Sequence, residues 1–173
     1  SRWSLRCNPS SGNLHPTEAT VLAGPGVVSD EGIVAHYAPR SHALEVRATL
    51  GPDLWSRAEE DLIYVGLSSI HWREAWKYGE RAFRYCQLDV GHALGTLSYA
   101  AATLGWGTRV VSGVGDGDLA RVLGVGERGG PEAEHADCLV AVGPDVGGAE
   151  VVLAEGVLRG LAALDKEGAP NEL

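Results

Sequence analysis

The 173-residue chain carries 14 basic and 23 acidic side chains, a net charge of -9, with 45% apolar and 21% charged residues. That is the composition of a globular domain with a substantial core, and the acidic balance argues against a nucleic-acid backbone as the main partner, although one bound phosphate group needs only a few local donors. Cys7, Cys86 and Cys138 are widely spaced with no CxxC, which gives neither a disulfide framework nor a zinc signature and fits a reducing cytoplasm. No apolar run has the length of a membrane span.

The chain contains no methionine, even at position 1. Its first recognisable motif begins at residue 6, so the sequence reads as an internal fragment that lacks an N-terminal piece. Residues 1–173 are expected to form a single domain, with 146–173 as a C-terminal extension of uncertain structure.

In chain order, residues 6–17 form a loop rich in Asn, Pro, Ser and Gly. Glu18 to Ala23 reads as a strand. Gly32 to Tyr37 and Leu44 to Ala48 are short alternating runs joined by a longer turn, as in a hairpin. Asp61 to Ser68 has strand length, and His71 to Tyr78 reads as a short helix. Residues 82–104 are the strongest element: Phe83, Val90, Leu94, Leu97, Ala101 and Leu104 recur at the spacing of a buried helical stripe. Gly91 and Gly95 on it allow close approach of another backbone or a flat ligand, and Gly105 is expected to end the helix. Thr108 to Ser112 reads as a strand, and Asp116 or Asp118 is expected to cap a helix through Leu119 to Leu123. Gly124 to His135 is expected to be an exposed loop and Cys138 to Val142 a strand. Leu153, Val157, Leu158, Leu161 and Leu164 mark a C-terminal helix.

Three segments carry candidate chemistry. Arg6-Cys7-Asn8-Pro9-Ser10-Ser11-Gly12-Asn13-Leu14-His15-Pro16 can present several donors to an anion or heterocycle, or be a plain surface turn. Trp72 to Tyr85 interleaves aromatics with Arg73, Lys77, Arg81 and Arg84. That suits a planar anionic ligand; the competing reading is an aromatic cluster whose arginines pair with Glu74 and Glu80. Val110-Val111-Ser112-Gly113-Val114-Gly115 is a strand running into a glycine-rich turn.

Together and in this order, the three segments resemble the nitroreductase-like flavoprotein superfamily, and within it the SagB-type or ThcOx-type dehydrogenases. The resemblance is carried by the loop from Asn8 to Pro16, by Lys77-Tyr78-Gly79-Glu80-Arg81 running into Phe83-Arg84-Tyr85, by Asp89-Val90-Gly91-His92, and by Gly105-Trp106 with the Gly113 turn. It extends over roughly residues 6–145.

The resemblance implies an α/β nitroreductase-like fold, a mixed sheet flanked by helices with a long central helix. It implies a homodimer with FMN at the subunit interface and hydride transfer through flavin N5. Ser10, Ser11 and Asn13 become cofactor contacts from the first loop, and Ser112, Gly113 and Val114 supply contacts near N5. Lys77 and Tyr78 match a pair to which the azoline-oxidising branch assigns proton removal, and Arg73, Arg81 and Arg84 would help lower the pKa of Lys77. The family's basic cluster for the FMN phosphate lies in an N-terminal helix that precedes the first residue here, and Arg2 or Arg6 is the candidate remnant of that grip. The implied substrate is a small molecule or modified peptide, with oxidation of a heterocycle as the reaction. The alternatives are an NAD(P)H-dependent nitro or quinone reductase in which Lys77 and Tyr78 are structural, and a degenerate non-catalytic subunit that has lost FMN.

The six histidines show no HxxxH or HxH spacing, so no metal site is expected. His92 reads as a helix-face or core residue and Cys86 as packing. Gly124-Val125-Gly126-Glu127-Arg128-Gly129 matches GxGxxG, but it follows a helix and runs into Gly130-Pro131, so it is a decoy.

Overall fold

A computed structural model describes residues 6–51, 54–55, 61–126, 129–146, 155–164 and 166. Six strands form one sheet: β1 (Thr17–Ala23), β2 (Gly32–Ala38), β3 (Ala43–Leu50), β4 (Ile63–Ser69), β5 (Gly107–Val110) and β6 (His135–Gly143). Their order is β3-β2-β1-β4-β6-β5, and all five ladders are antiparallel. The helices are α1 (Trp72–Tyr78), α2 (Ala82–Thr103), α3 (Asp116–Leu123) and α4 (Glu155–Ala163). This is the α/β architecture with a long central helix that the sequence implies. Leu153 of the expected C-terminal stripe lies outside the described residues.

Successive strand residues point to opposite faces, and both faces are used. Leu22, Val34, Tyr64, Leu139 and Ala141 pack with Leu119, Val122 and Leu123 of α3 and Val157 and Leu161 of α4. Val65, Leu67, Val140 and Val142 meet Val90 and Ala101 of α2 on the other face. The sheet is thus a filled layer with α2 on one side and α3 and α4 on the other.

α2 departs from its expected stripe. Val90 and Ala101 are buried, but Phe83 is 65% and Leu104 67% exposed. Both lie at the helix ends, beyond the stretch that packs on the sheet. The helix ends as a Schellman motif: Trp106 N–H donates to Ala101 O, Gly105 N–H to Ala102 O, and Gly105 takes φ 73°, which only a residue without Cβ adopts at low cost. The expected side-chain cap of α3 is not there. Gly115 occupies the N-cap, Asp116 and Asp118 lie in the first turn, and Asp118 pairs with Arg121. Acids in that turn still favour the helix through its dipole. α3 stops at Gly124, φ 70°, so the GxGxxG pattern follows a helix as its sequence context indicates.

Candidate functional site

Strand registers bring the candidate segments to one end of the sheet. Thr17 of β1 pairs with Ser69 of β4, and Ser69 with His135 of β6. The β5 ladder runs on to Val111, whose N–H donates to Leu139 O. The loop entering β1, helix α1 leaving β4, and the turn at Ser112 to Val114 leaving β5 therefore share that end.

The first loop is held by α2. Ser10 Oγ donates to Asp89 Oδ2 at 2.6 Å, and the Ser11 N–H reaches Asp89 Oδ1 at 3.0 Å. Ser10 Oγ also accepts the His15 N–H at 2.9 Å. Asp89 is buried, so these bonds replace its lost hydration. The two serines thus face the protein. What the loop leaves outward is Gly12 and Asn13, both exposed and both with positive φ, 62° and 60°. Asn13 Oδ1 is bonded to His15 Nε2 at 2.9 Å.

Gly12 is where the first two candidate segments meet. A Cβ placed there would overlap the Tyr78 hydroxyl and lie 2.6 Å from Lys77 Nζ. Lys77 Nζ stands 5.3 Å from the centre of the Tyr78 ring, and the Tyr78 and Tyr85 rings are 4.6 Å apart. Two predicted site residues far from the loop in sequence therefore cover its glycine.

The arginines do something else. Arg73 and Arg6 both turn to Glu18, a buried acid on β1: Arg73 Nη1 pairs with Glu18 Oε1, and Arg6 Nη2 lies 3.7 Å from the same oxygen. His36 Nε2 meets Glu18 Oε2 at 3.0 Å, and its Nδ1 meets Glu45 at 3.2 Å. Burial by itself raises the Glu18 carboxyl, but the His36 hydrogen bond and the Arg73 charge outweigh it and the group ends below its ordinary value. His36 shows the mirror case. Burial lowers it, and its bonds to Glu18 and Glu45 carry it above. Arg73 is also 3.7 Å from Glu132, so it does not pair with Glu74 or Glu80 as an aromatic-cluster reading of this segment requires. Beside Arg6 is a cleft of about 140 Å³ lined also by Cys7, Asn8, Thr17, Glu18 and Tyr37. Among the described residues the Thr17 hydroxyl has no hydrogen-bond partner.

The third segment stays apart from the first two in a single chain. β4 and β6 stand between β1 and β5, so Ser112 to Val114 lie three strand spacings, about 14 Å, from the start of β1. Gly113 is exposed with φ 76°, while Val114 packs against the main core.

Two acids of the site escaped the sequence reading as chemistry. Asp89 was legible only as part of a motif. A competing reading paired Glu74 with an arginine, yet it is fully buried and neither of its carboxylate oxygens has a hydrogen-bond partner among the described residues. Burial first, and the charge of Asp89 second, push it up to about 7, with Lys77 opposing. Its signal in the sequence is an acid one helical turn before a Lys-Tyr pair. Cys86, fully buried, is pushed up to about 12 by burial and then by Glu74 and Asp89, which keeps it a packing residue. Among the described residues no group of three or more His, Cys, Asp or Glu side chains is placed to hold a metal ion, and no helix is long and apolar enough to cross a membrane.

Comparison with known proteins bears on the family and the fold. A nitroreductase homologue of Methanocaldococcus jannaschii is 28% identical over 127 residues, 69% of this chain and 64% of its own. A nitroreductase-like crystal structure from Anabaena variabilis superposes with a TM-score of 0.66 at 26% identity, covering 80% of this chain and 29% of the other. A chain of the E. coli microcin synthetase McbBCD complex, solved with truncated pro-MccB17 bound, matches in fold with a TM-score of 0.64 at 22% identity, covering 83% of this chain and 57% of that one. The chain thus spans less than two thirds of the length of each of these relatives. The profile described as the nitroreductase family matches residues 3–143, more than half of the sequence, and the chain belongs to that family.

Proposed function

We propose that the protein is an FMN-dependent oxidoreductase of the SagB type, which oxidises a heterocycle in a small or peptide-derived substrate. The observation that carries this is the meeting of Lys77 and Tyr78 over Gly12 of the Ser-Ser-Gly-Asn loop. Family membership supports a flavin, and the fold it shares with a chain of the microcin synthetase complex solved with truncated pro-MccB17 bound supports the substrate class.

The residues present fit the ring of FMN. A loop glycine without Cβ lies beneath an ammonium and a phenol hydroxyl, and Asn13 is exposed beside them. Asn13 and the loop N–H groups would touch the ring; Ser10 and Ser11 would hold the loop in shape through Asp89. Ser112, Gly113 and Val114 would approach the ring from a second side. Arg6 would reach the phosphate from the cleft it lines, once released from Glu18. FMN, when bound, supplies a hydride acceptor or donor at N5.

Lys77 is the proposed base and Tyr78 its partner, whose hydroxyl lies at the same spot over the loop. Lys77 is exposed and Tyr78 half-buried, and a substrate would arrive from the Lys77 side. A homodimer would cover the pair: Trp76, Phe83, Leu88, Tyr99 and Leu104 of the α1–α2 face are exposed, and nothing lies within 4 Å of a Cβ built on Gly91 or Gly95.

Two measurements test the reading. The full-length protein should show the yellow flavin absorbance, as purified or after FMN is added. A protein that stays colourless is the degenerate subunit. Lys77→Ala should retain FMN and lose turnover of an azoline-bearing peptide by about 100-fold or more. Near-normal turnover would remove the base role and favour an NAD(P)H-dependent nitro or quinone reductase.

A further inference from the structure

His15 is held from two sides by the buried acids that shape the loop. Its N–H donates to Ser10 Oγ at 2.9 Å, and Ser10 is bonded to Asp89. Its carbonyl accepts Arg73 Nη1 at 3.2 Å, and Arg73 is paired with Glu18. Clamped in this way, His15 takes φ 49°, a left-handed angle that a Cβ makes costly. Gly12 and Asn13 share that region of backbone space. Strain of this kind persists only where the surroundings over-determine the backbone, and it collects at ligand sites.

The strained backbone carries the imidazole to Asn13. His15 Nε2 lies 2.9 Å from Asn13 Oδ1. An amide oxygen only accepts, so Nε2 bears the hydrogen and Nδ1 the lone pair. Nδ1 is buried without a partner among the described residues. Burial first and Arg6 second lower the His15 pKa, against Asp89 and Glu18, so the ring is neutral at pH 7 and has one N–H to give. It gives that N–H to an exposed side chain, a bond that adds little to stability. With Oδ1 taken, Asn13 has only its two Nδ2 hydrogens left to offer.

We propose that His15 is a positioning residue for Asn13: by holding Oδ1 it fixes the amide so that the loop meets the flavin ring with N–H donors alone. The edge selected is an acceptor, a carbonyl oxygen or an unprotonated ring nitrogen. This rests on the reading that the loop holds FMN. Without the pin the amide turns, and its oxygen faces the same acceptor half of the time.

The test is FMN affinity of the full-length apoprotein, read by quenching of FMN fluorescence. His15→Ala should weaken it about 3- to 10-fold, the size of one neutral hydrogen bond. His15→Gln should restore most of the affinity, because a Gln amide nitrogen reaches the place of Nε2. His15→Asn should not, because its amide reaches only the place of Nδ1, although Asn accepts the left-handed angle more readily. The two variants therefore separate the side-chain bond from the backbone strain. In an Asn13→Ala background, His15→Ala should add nothing. The imidazole ¹⁵N spectrum of the flavin-free protein at pH 7 should show the Nε2–H tautomer. Rescue by Asn and not by Gln overturns the proposal. So does an effect of His15→Ala undiminished in Asn13→Ala, or an Nδ1–H tautomer. If His15→Ala does not fold, the Gln–Asn comparison and the tautomer decide. If the wild-type protein binds FMN and His15→Ala binds it equally well, the role of His15 falls and the flavin reading stands; a wild-type protein that binds no FMN overturns both.

Discussion

Glu18 and Glu74 are both buried acids at the same end of the sheet, and their surroundings are opposite. Glu18 meets Arg73, Arg6 and His36, and its carboxyl is drawn below its ordinary range. Glu74 meets no donor among the described residues, and its carboxyl is pushed up to about 7. A satisfied buried charge locks geometry: here it ties β1, β2 and α1 together through one carboxylate. An unsatisfied one locks nothing and remains free to change its protonation. Asp89 belongs with Glu18, because Ser10 and Ser11 fill its oxygens and the loop is shaped by doing so. The contrast separates the part of this sheet end that builds the site from the part available for proton movement.

The strongest way to break the comparison is at Glu18. Glu18→Gln leaves buried Arg73 with only Glu132 and buried His36 with only Glu45 as counter-charge, and removing one member of a buried pair costs about 3–5 kcal/mol. Denaturant unfolding at neutral pH should show a loss of that size. The pH dependence should change with it. Glu18 has a depressed folded value, so its contribution is present above the unfolded carboxylate range and is lost as pH falls through the folded value. His36 has a raised folded value, so its contribution is full below 6.5 and is lost as pH rises through the folded value. In Glu18→Gln both limbs should flatten. A variant that kept the wild-type pH curve would mean the cluster is not coupled.

Glu74→Gln sharpens the other side. The folded carboxyl titrates at about 7 against an ordinary 4.5, so between those values the folded state binds more protons than the unfolded one. Stability therefore falls as pH rises through that window. Above it the charged form costs up to roughly 3 kcal/mol. The difference in stability between Glu74→Gln and wild type should shift by about that amount in favour of the variant between pH 5 and pH 8. Urea midpoints at the two pH values measure it, and an equal difference at both would show that Glu74 finds a partner in solution.

The fold was legible where periodicity and turn chemistry are local. The β2–β3 hairpin, α2 and the Gly105 stop all follow from side-chain spacing and from what only glycine tolerates. The ends of α2 were not, because Phe83 and Leu104 fit the stripe by spacing, and spacing does not say where the sheet beneath a helix ends. The convergence of Lys77 and Tyr78 on Gly12 depends on the β1–β4 register, which no local pattern encodes. For Arg73 the competing reading fails for a related reason. Glu74 and Glu80 are near Arg73 in sequence, but the buried Glu18 is near it in space and offers the stronger pairing. Glu74 was hidden by that same assumption, since an acid next to basic residues looks neutralised until the bases are seen to be engaged elsewhere.

The smallest expected effect on stability is at the contact between the loop and α1. Gly12→Ala adds one methyl group where the Tyr78 hydroxyl and Lys77 Nζ already stand, at a backbone angle that L side chains seldom adopt. The φ penalty is about 1–2 kcal/mol. The steric overlap falls on the ends of two side chains that can swing aside, so stability should drop by about 1–2 kcal/mol and no more. Function should drop further, because swinging aside removes Lys77 and Tyr78 from the loop while Ser10, Ser11 and Asp89 keep their bonds. Unfolding in urea and FMN retention, measured on one preparation, distinguish the cases. A nearly stable protein with weakened FMN retention means that the covering of Gly12 matters to the site. Loss of stability and of FMN in proportion would mean that Gly12 is only a turn.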